Sequence, residues 1–281
     1  MDERGADARR SPHFGSEDGG PHLSTREAWD ALYLRRPLPW GSAPWLPEIP
    51  RGARVLELGC GGGRVLSVLS ARIRTDISWH REKEGARWAF QVGAGGAVGG
   101  LLSFRARAPV SGDSGGSPRE MDPAPEAGEG PMLVGLDFSI SALKPLLRRG
   151  TWSLVLGDAT ELPFRSQSFD LVFCRHLLEH LEEEGRRRTA SEMLRVLADG
   201  GRAWVTVFSV DDARFGKGRE VERGTFLRGD GILRHYFTGD ELRSLFGPAL
   251  TRCRSIKWRE RAGRERVERA VIEAEVERRR A

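Results

Sequence analysis

Arg54-Val-Leu-Glu-Leu-Gly-Cys-Gly-Gly-Gly-Arg64 decides how this chain is read. Val55, Leu56 and Leu58 form a short apolar run, the length of a strand buried on both faces. Glu57 lies at its end, and Gly59, Gly61, Gly62 and Gly63 follow. Val65-Leu66-Ser67-Val68-Leu69 then carries helical periodicity. The order is strand, glycine turn, helix. Glycines let the backbone turn sharply and let a ligand sit against bare main chain, and the helix start offers unpaired N–H groups. A dinucleotide fingerprint, G-x-G-x-x-G/A counted from Gly59, requires a small residue where Arg64 stands. A strand-end acid followed by G-x-G-x-G fits Glu57, Gly59, Gly61 and Gly63 without a gap.

Outward from that turn, strands and helices alternate. Met132–Leu136 ends in Asp137, Trp152–Leu156 in Gly157-Asp158, and Phe169–Phe173 in Cys174. Leu177–Leu197 has helical pattern, and Gly200-Gly201 turns into Ala203–Phe208. The alternation predicts an α/β fold with a doubly wound, mostly parallel sheet. Thr238-Gly-Asp-Glu241 predicts a capped helix through Phe246, and Leu250–Trp258 an edge strand. Gly263–Arg280 reads as a charged amphipathic helix with Val267, Val271 and Ile272 on its apolar side.

Length 281, net charge +5 and 39% hydrophobic residues suit a globular core. Cys60, Cys174 and Cys253 are odd in number and far apart, which speaks against a disulfide framework or zinc site. With no long apolar run and no secretory-type segment, the expected location is the cytoplasm. Residues 252–281 carry eleven Arg/Lys against six Asp/Glu. That balance suits a nucleic acid or anionic lipid, or a solvated helix laced with ion pairs.

The domain plan has a disordered tail at 1–24 and an aromatic, proline-rich segment at 25–50. The main domain, 51–260, is interrupted by a Gly, Pro and Arg-rich insertion at 72–131, and a basic helix at 261–281 follows. Ser24-Thr-Arg-Glu27 is a helix cap that places Trp29, Leu32 and Tyr33 on one side. Trp40 and Trp45 either cover the site or plug the core. Within the insertion, Trp88, Ala89, Phe90 and Val92 suit a small strand or docking segment. Val210–Thr238 reads as a long loop leaving the carboxyl edge of the sheet, basic enough to suggest an anionic acceptor.

The acid-tipped strand with G-x-G-x-G resembles motif I of the class I S-adenosylmethionine (SAM) methyltransferases. Gly157-Asp158-Ala159, Ser168-Phe-Asp-Leu-Val172 and Leu194-Arg-Val-Leu197-x-x-Gly200-Gly201 follow in the order of the type-11 group, which includes quinone C-methylating enzymes. The resemblance covers 51–71 and 132–210 and implies a Rossmann-like fold, SAM as cofactor and a small or medium-sized acceptor. An RNA or protein acceptor, and a non-catalytic SAM-binding protein, are the alternatives. The resemblance implies that Gly59, Cys60, Gly61 and Gly63 receive the amino-acid tail and ribose. Glu57 either orders the loop or accepts from the amino group. Asp137 takes the ribose hydroxyls, Phe138 the adenine face, and Asp158 with Ala159 the adenine edge. Asp76 has nearly the spacing of a ribose acid but no strand before it, so Asp137 is chosen. Arg175 stands with the cofactor-binding residues. His176, nearest the methyl, is the candidate base, and Tyr236 in the basic loop is a second candidate catalytic group. His176 and His180 have i, i+4 spacing without an evident third ligand, so no metal is expected. The family normally closes in an antiparallel hairpin, of which only one strand is legible here.

Overall fold

The structure, a computed structural model, describes residues 25–35, 46–76, 91–92, 102–104, 131–149, 152–262 and 265–280. In chain order the elements are α1 (Thr25–Arg35), β1 (Arg54–Leu58), α2 (Arg64–Asp76), β2 (Gln91–Val92), β3 (Leu102–Phe104), β4 (Met132–Asp137), α3 (Ile140–Leu143), β5 (Ser153–Leu156), β6 (Phe169–Arg175), α4 (Glu183–Val196), β7 (Leu197–Phe208), β8 (Arg219–Glu222), β9 (Thr225–Leu227), β10 (Leu233–His235), α5 (Gly239–Phe246), β11 (Leu250–Ala262) and β12 (Glu265–Glu277). The main sheet has the order β11-β12-β7-β6-β1-β4-β5-β3-β2. β5, β4, β1, β6 and β7 are parallel to their neighbours in that run, and β12, β11, β3 and β2 add antiparallel strands at the two ends.

β1 is central because its side chains are apolar on both faces. Leu56 and Leu58 join a core cluster with Val172 of β6, Met193 of α4 and Phe246 of α5. Val55 looks the other way, toward Val65, Leu66 and Leu69 of α2 and Leu143 of α3. At the amino edge Asp170 clamps β1 to β6: its Oδ2 accepts from the Arg54 backbone N–H at 2.8 Å, and its Oδ1 from Arg54 Nη2 at 2.8 Å. Asp137 ends β4 beside the glycine turn, and Ser139 caps α3 by accepting from Ala142 N at 3.2 Å. Pro145 ends α3 after four residues, and a 3₁₀ turn, Lys144–Arg148, continues. Thr238 caps α5, its Oγ1 accepting from Glu241 N at 3.2 Å.

Two expectations need correction. The basic C-terminal helix is instead strand β12, paired with β11 from Leu250↔Val276 to Ala262↔Glu265 and with β7 from Val271↔Phe208 to Glu277↔Arg202. Its inward row, Ala270, Ile272, Ala274 and Val276, has period two and is buried, while Glu273, Glu275 and Glu277 point to the opposite face. The hairpin that was only half legible is therefore complete. The loop 210–238 contains a second sheet, ordered β10-β9-β8. Within the insertion 72–131, β2 and β3 extend the main sheet, with β3 antiparallel to β5. Val92 falls in β2, whereas Trp88–Phe90 lie outside the described residues, as do the 1–24 tail, Trp40 and Trp45. Among the described residues no helix is long and apolar enough to cross a membrane.

Candidate active site

The carboxyl ends of β1, β4, β5 and β6 meet at one cavity of about 300 Å³. Open parallel sheets place ligands at this edge. Gly59 and Asp137 form its floor, Phe138, Asp158 and Ala159 one wall, His176, Leu177 and His180 another, and Trp29 and Tyr33 of α1 the roof.

Glu57 does not reach the cavity. It is buried, and its carboxylate accepts from Leu66 N at 3.0 Å and Val65 N at 3.4 Å. It therefore satisfies the open N–H groups of α2 and orders the turn, the first of its two expected roles. Burial pushes its pKa up to about 8, against the pull of those two N–H groups. Gly59, Gly61 and Gly63 have φ of +62°, +50° and +69°. At Gly61 a Cβ would strike the Tyr33 hydroxyl, and at Gly63 it would come within 2.8 Å of Leu146. Cys60 is buried beneath the turn, its N–H donating to Leu136 O at 3.0 Å. Thus Gly59 lines the cavity, while Cys60, Gly61 and Gly63 shape the turn from behind.

Asp137 holds the centre. Oδ2 accepts from Gly61 N at 2.8 Å and Oδ1 from Ser139 N at 2.9 Å. Each oxygen keeps a second lone pair for a hydroxyl donor. Burial raises its pKa to about 6 despite those N–H bonds. Asp158 is exposed at the rim, its Oδ1 accepting from Thr160 N and Oγ1, both at 2.8 Å. Arg26 stands 5.7 Å from the Phe138 ring centroid.

His176 has φ +54°, an unusual conformation for a residue with a Cβ. Its N–H donates to Thr206 O at 2.8 Å, which fixes the bend at the end of β6. Nδ1 lies 2.7 Å from Oε1 of the fully buried Glu179. A carboxylate there takes the Nδ1 proton as its donor and leaves the Nε2 lone pair free. His180 Nδ1 donates to Leu233 O at 2.7 Å, and burial lowers its pKa. Trp29 meets the His180 ring edge-on at 4.7 Å, and Phe208 lies 5.2 Å from His176.

Two further expected residues are not brought to this cavity. Arg175 lines a separate one of about 380 Å³ with Trp204, Arg252, Arg254 and Glu273, because the last residue of β6 projects to the α2 side. Tyr236 is buried among Phe208, Phe215 and Phe226, under the small sheet. Sequence reasoning missed the roles of Trp29, Tyr33, Leu177 and Leu181 in lining the site. The i, i+4 aromatic pair on α1 was the available signal, and Asp30 on that helix ties it down by accepting from Ser139 Oγ at 2.5 Å and Ser141 N at 3.2 Å.

Comparison with known proteins agrees with this geometry. A family model described as a methyltransferase domain matches residues 116–205. A putative methyltransferase of Encephalitozoon cuniculi is 42% identical over 79 residues, covering 28% of this chain and 38% of that protein. A demethylmenaquinone methyltransferase of Renibacterium salmoninarum is 41% identical over 86 residues, covering 30% and 35%. A tRNA N(3)-methylcytidine methyltransferase of Drosophila melanogaster is 26% identical over 151 residues, covering 44% and 46%. The chain thus spans less than half the length of each of these relatives. In fold it is similar to a SAM-dependent methyltransferase from Methanosarcina mazei, with TM-score 0.52 at 17% identity over 83% of this chain and 95% of that one. Residues 116–205 thus match a methyltransferase domain, and the fold and strand order are similar to those of the Rossmann-like class I methyltransferases.

Proposed function

We propose that the chain is a SAM-dependent methyltransferase acting on a small or medium-sized acceptor, or on one exposed group of a larger one. The observation that carries this is Asp137, whose two oxygens are aimed by Gly61 N and Ser139 N at the head of the cavity, each with a lone pair to spare. The residues present fit the cofactor. Asp137 would take the ribose diol, Gly59 the close approach of the backbone, Phe138 and Ala159 the adenine faces, and Asp158 the adenine edge. When bound, SAM supplies a methyl carbon already activated by its sulfonium.

The chain's own contribution is position and proton control. Trp29 and Tyr33 exclude water from above. His176 receives a proton at Nε2 from an acceptor that must lose one, and Glu179 holds the ring in the tautomer that makes this possible. The aromatic lining, Trp29, Phe138, His176 and His180, suits a flat acceptor ring. The relatives' names point to the same property, since a demethylated menaquinone and a cytidine each present one. A cytoplasmic location fits such acceptors.

Calorimetric titration with SAM tests the reading. One-site binding that Asp137→Ala weakens by at least tenfold supports it; no heat at millimolar SAM would overturn it.

A further inference from the structure

β11 and β12 are longer than the sheet they complete. β12 pairs with β7 only from Val271↔Phe208 onward, while its pairing with β11 continues from Lys257↔Ala270 to Ala262↔Glu265. β7 runs parallel to β6, so Phe208 lies at the carboxyl edge. The hairpin therefore projects past that edge, on the same side as the cavity. Ala213 N donates to Glu268 O at 3.0 Å, and Asp212 accepts from Arg269 Nε at 3.0 Å and Ala270 N at 3.0 Å. These bonds join the projection to the segment that leads into the small sheet, whose Leu233 lines the cavity.

Cross-strand partners share a face, so one face of the projection carries Lys257, Arg259 and Arg261 on β11 and Arg266 on β12, with Glu268 the acid opposite Arg259. Arg261 and Arg266 are directly opposite. Alternate residues of a strand stand about 7 Å apart, close to the step between neighbouring phosphates of an extended nucleic-acid strand. Between Lys257, whose Nζ pairs with Asp211 Oδ2 at 3.0 Å, and Arg259, Trp258 is 42% exposed on the opposite face of the free edge strand. An exposed indole, the only one among the described residues, with cations on either side in the strand suits base stacking better than it suits a lipid surface, which needs a contiguous apolar patch.

We propose that the projecting end of the β11–β12 hairpin is an RNA-docking arm: a single-stranded stretch wraps the free edge of β11, its phosphates on the cationic face and a base stacked on Trp258 on the other, so that a neighbouring nucleobase reaches the cavity. The acceptor role rests on the methyltransferase reading above; the docking does not.

The test uses the full chain and a labelled single-stranded RNA oligomer of mixed sequence, read by fluorescence anisotropy across a salt series. Binding should weaken with salt. The combined variant Arg259→Gln, Arg261→Gln, Arg266→Gln should bind at least tenfold more weakly at low salt, with a log–log salt slope shallower by about two. Trp258→Ala should lose about tenfold with the slope unchanged. Both should keep wild-type thermal melting and SAM affinity. SAM binding without RNA binding would sink the arm alone, and RNA binding without SAM binding would sink the methyltransferase reading alone. Wild-type RNA affinity in the triple variant, or capture of phosphatidylserine vesicles with no RNA binding, would also overturn the arm.

Discussion

Two buried acids, Glu57 and Asp137, make this end of the sheet sensitive to protons. Glu57 has a folded-state pKa near 8, well above the ordinary carboxylate value near 4.5. Between those values the folded chain holds a proton that the unfolded chain has released, so this residue's contribution to stability falls as pH rises through the window. Urea unfolding of the ligand-free protein should show a lower midpoint at pH 8 than at pH 6, and Glu57→Gln should flatten that difference. Asp137 acts on binding instead. Its carboxylate form accepts hydroxyl donors, and its pKa is raised to about 6, so SAM affinity should fall roughly tenfold per pH unit below that point; a flat calorimetric profile from pH 7 to 5 would remove Asp137 from the ribose. His176→Ala should leave SAM affinity within about threefold yet slow methyl transfer by about 10²–10⁴. Glu179→Gln should cost less and move the pH profile, because its buried oxygen fixes the ring at 2.7 Å rather than touching the acceptor.

At the scale of elements, the glycine turn shows what residue types declare unaided. A strand of Val, Leu and Leu, an acid and glycines at alternate positions have few other uses, and the structure needs φ between +50° and +69° at Gly59, Gly61 and Gly63. Gly61→Ala should destabilise by about 2 kcal/mol, from the left-handed backbone and from the collision with the Tyr33 hydroxyl. In a Tyr33→Phe background the same change should cost about 1 kcal/mol less, a coupling that denaturant melts of the four proteins would measure. What stayed hidden in the sequence depended on partners far along the chain. The residues of β12 are mostly Arg, Glu and Ala, good helix formers, and only pairing with β7 and β11 makes strand the better state. The small sheet was concealed by its charge, although Gly218, Gly224 and Gly231, all at positive φ, punctuate its strands. Arg175 was expected at the cofactor because it ends β6; which face the last side chain of a strand takes is set by register, which no local motif reports.

For the whole molecule the decisive question is whether the C-terminal segment is an appendage or part of the core. A solvated helix would be dispensable. The structure instead puts β12 between β7 and β11, inside the sheet, with Val271, Ile272 and Val276 no more than 7% exposed. Burying three such side chains contributes roughly 5–9 kcal/mol at about 1.5–3 each, comparable to the entire net stability of a domain, roughly 5–15 kcal/mol. Their removal would also bare the inward row of β7, Ala203, Val205 and Val207. A chain ending at Ala262 should therefore lose its cooperative thermal transition and its SAM binding together. Shortening only the projecting tip, between Trp258 and Val267, leaves every β12–β7 pair in place, so that protein should melt within a few degrees of wild type and bind SAM normally. A cooperative melt from the chain ending at Ala262 would show that β12 is not the strand that closes this sheet.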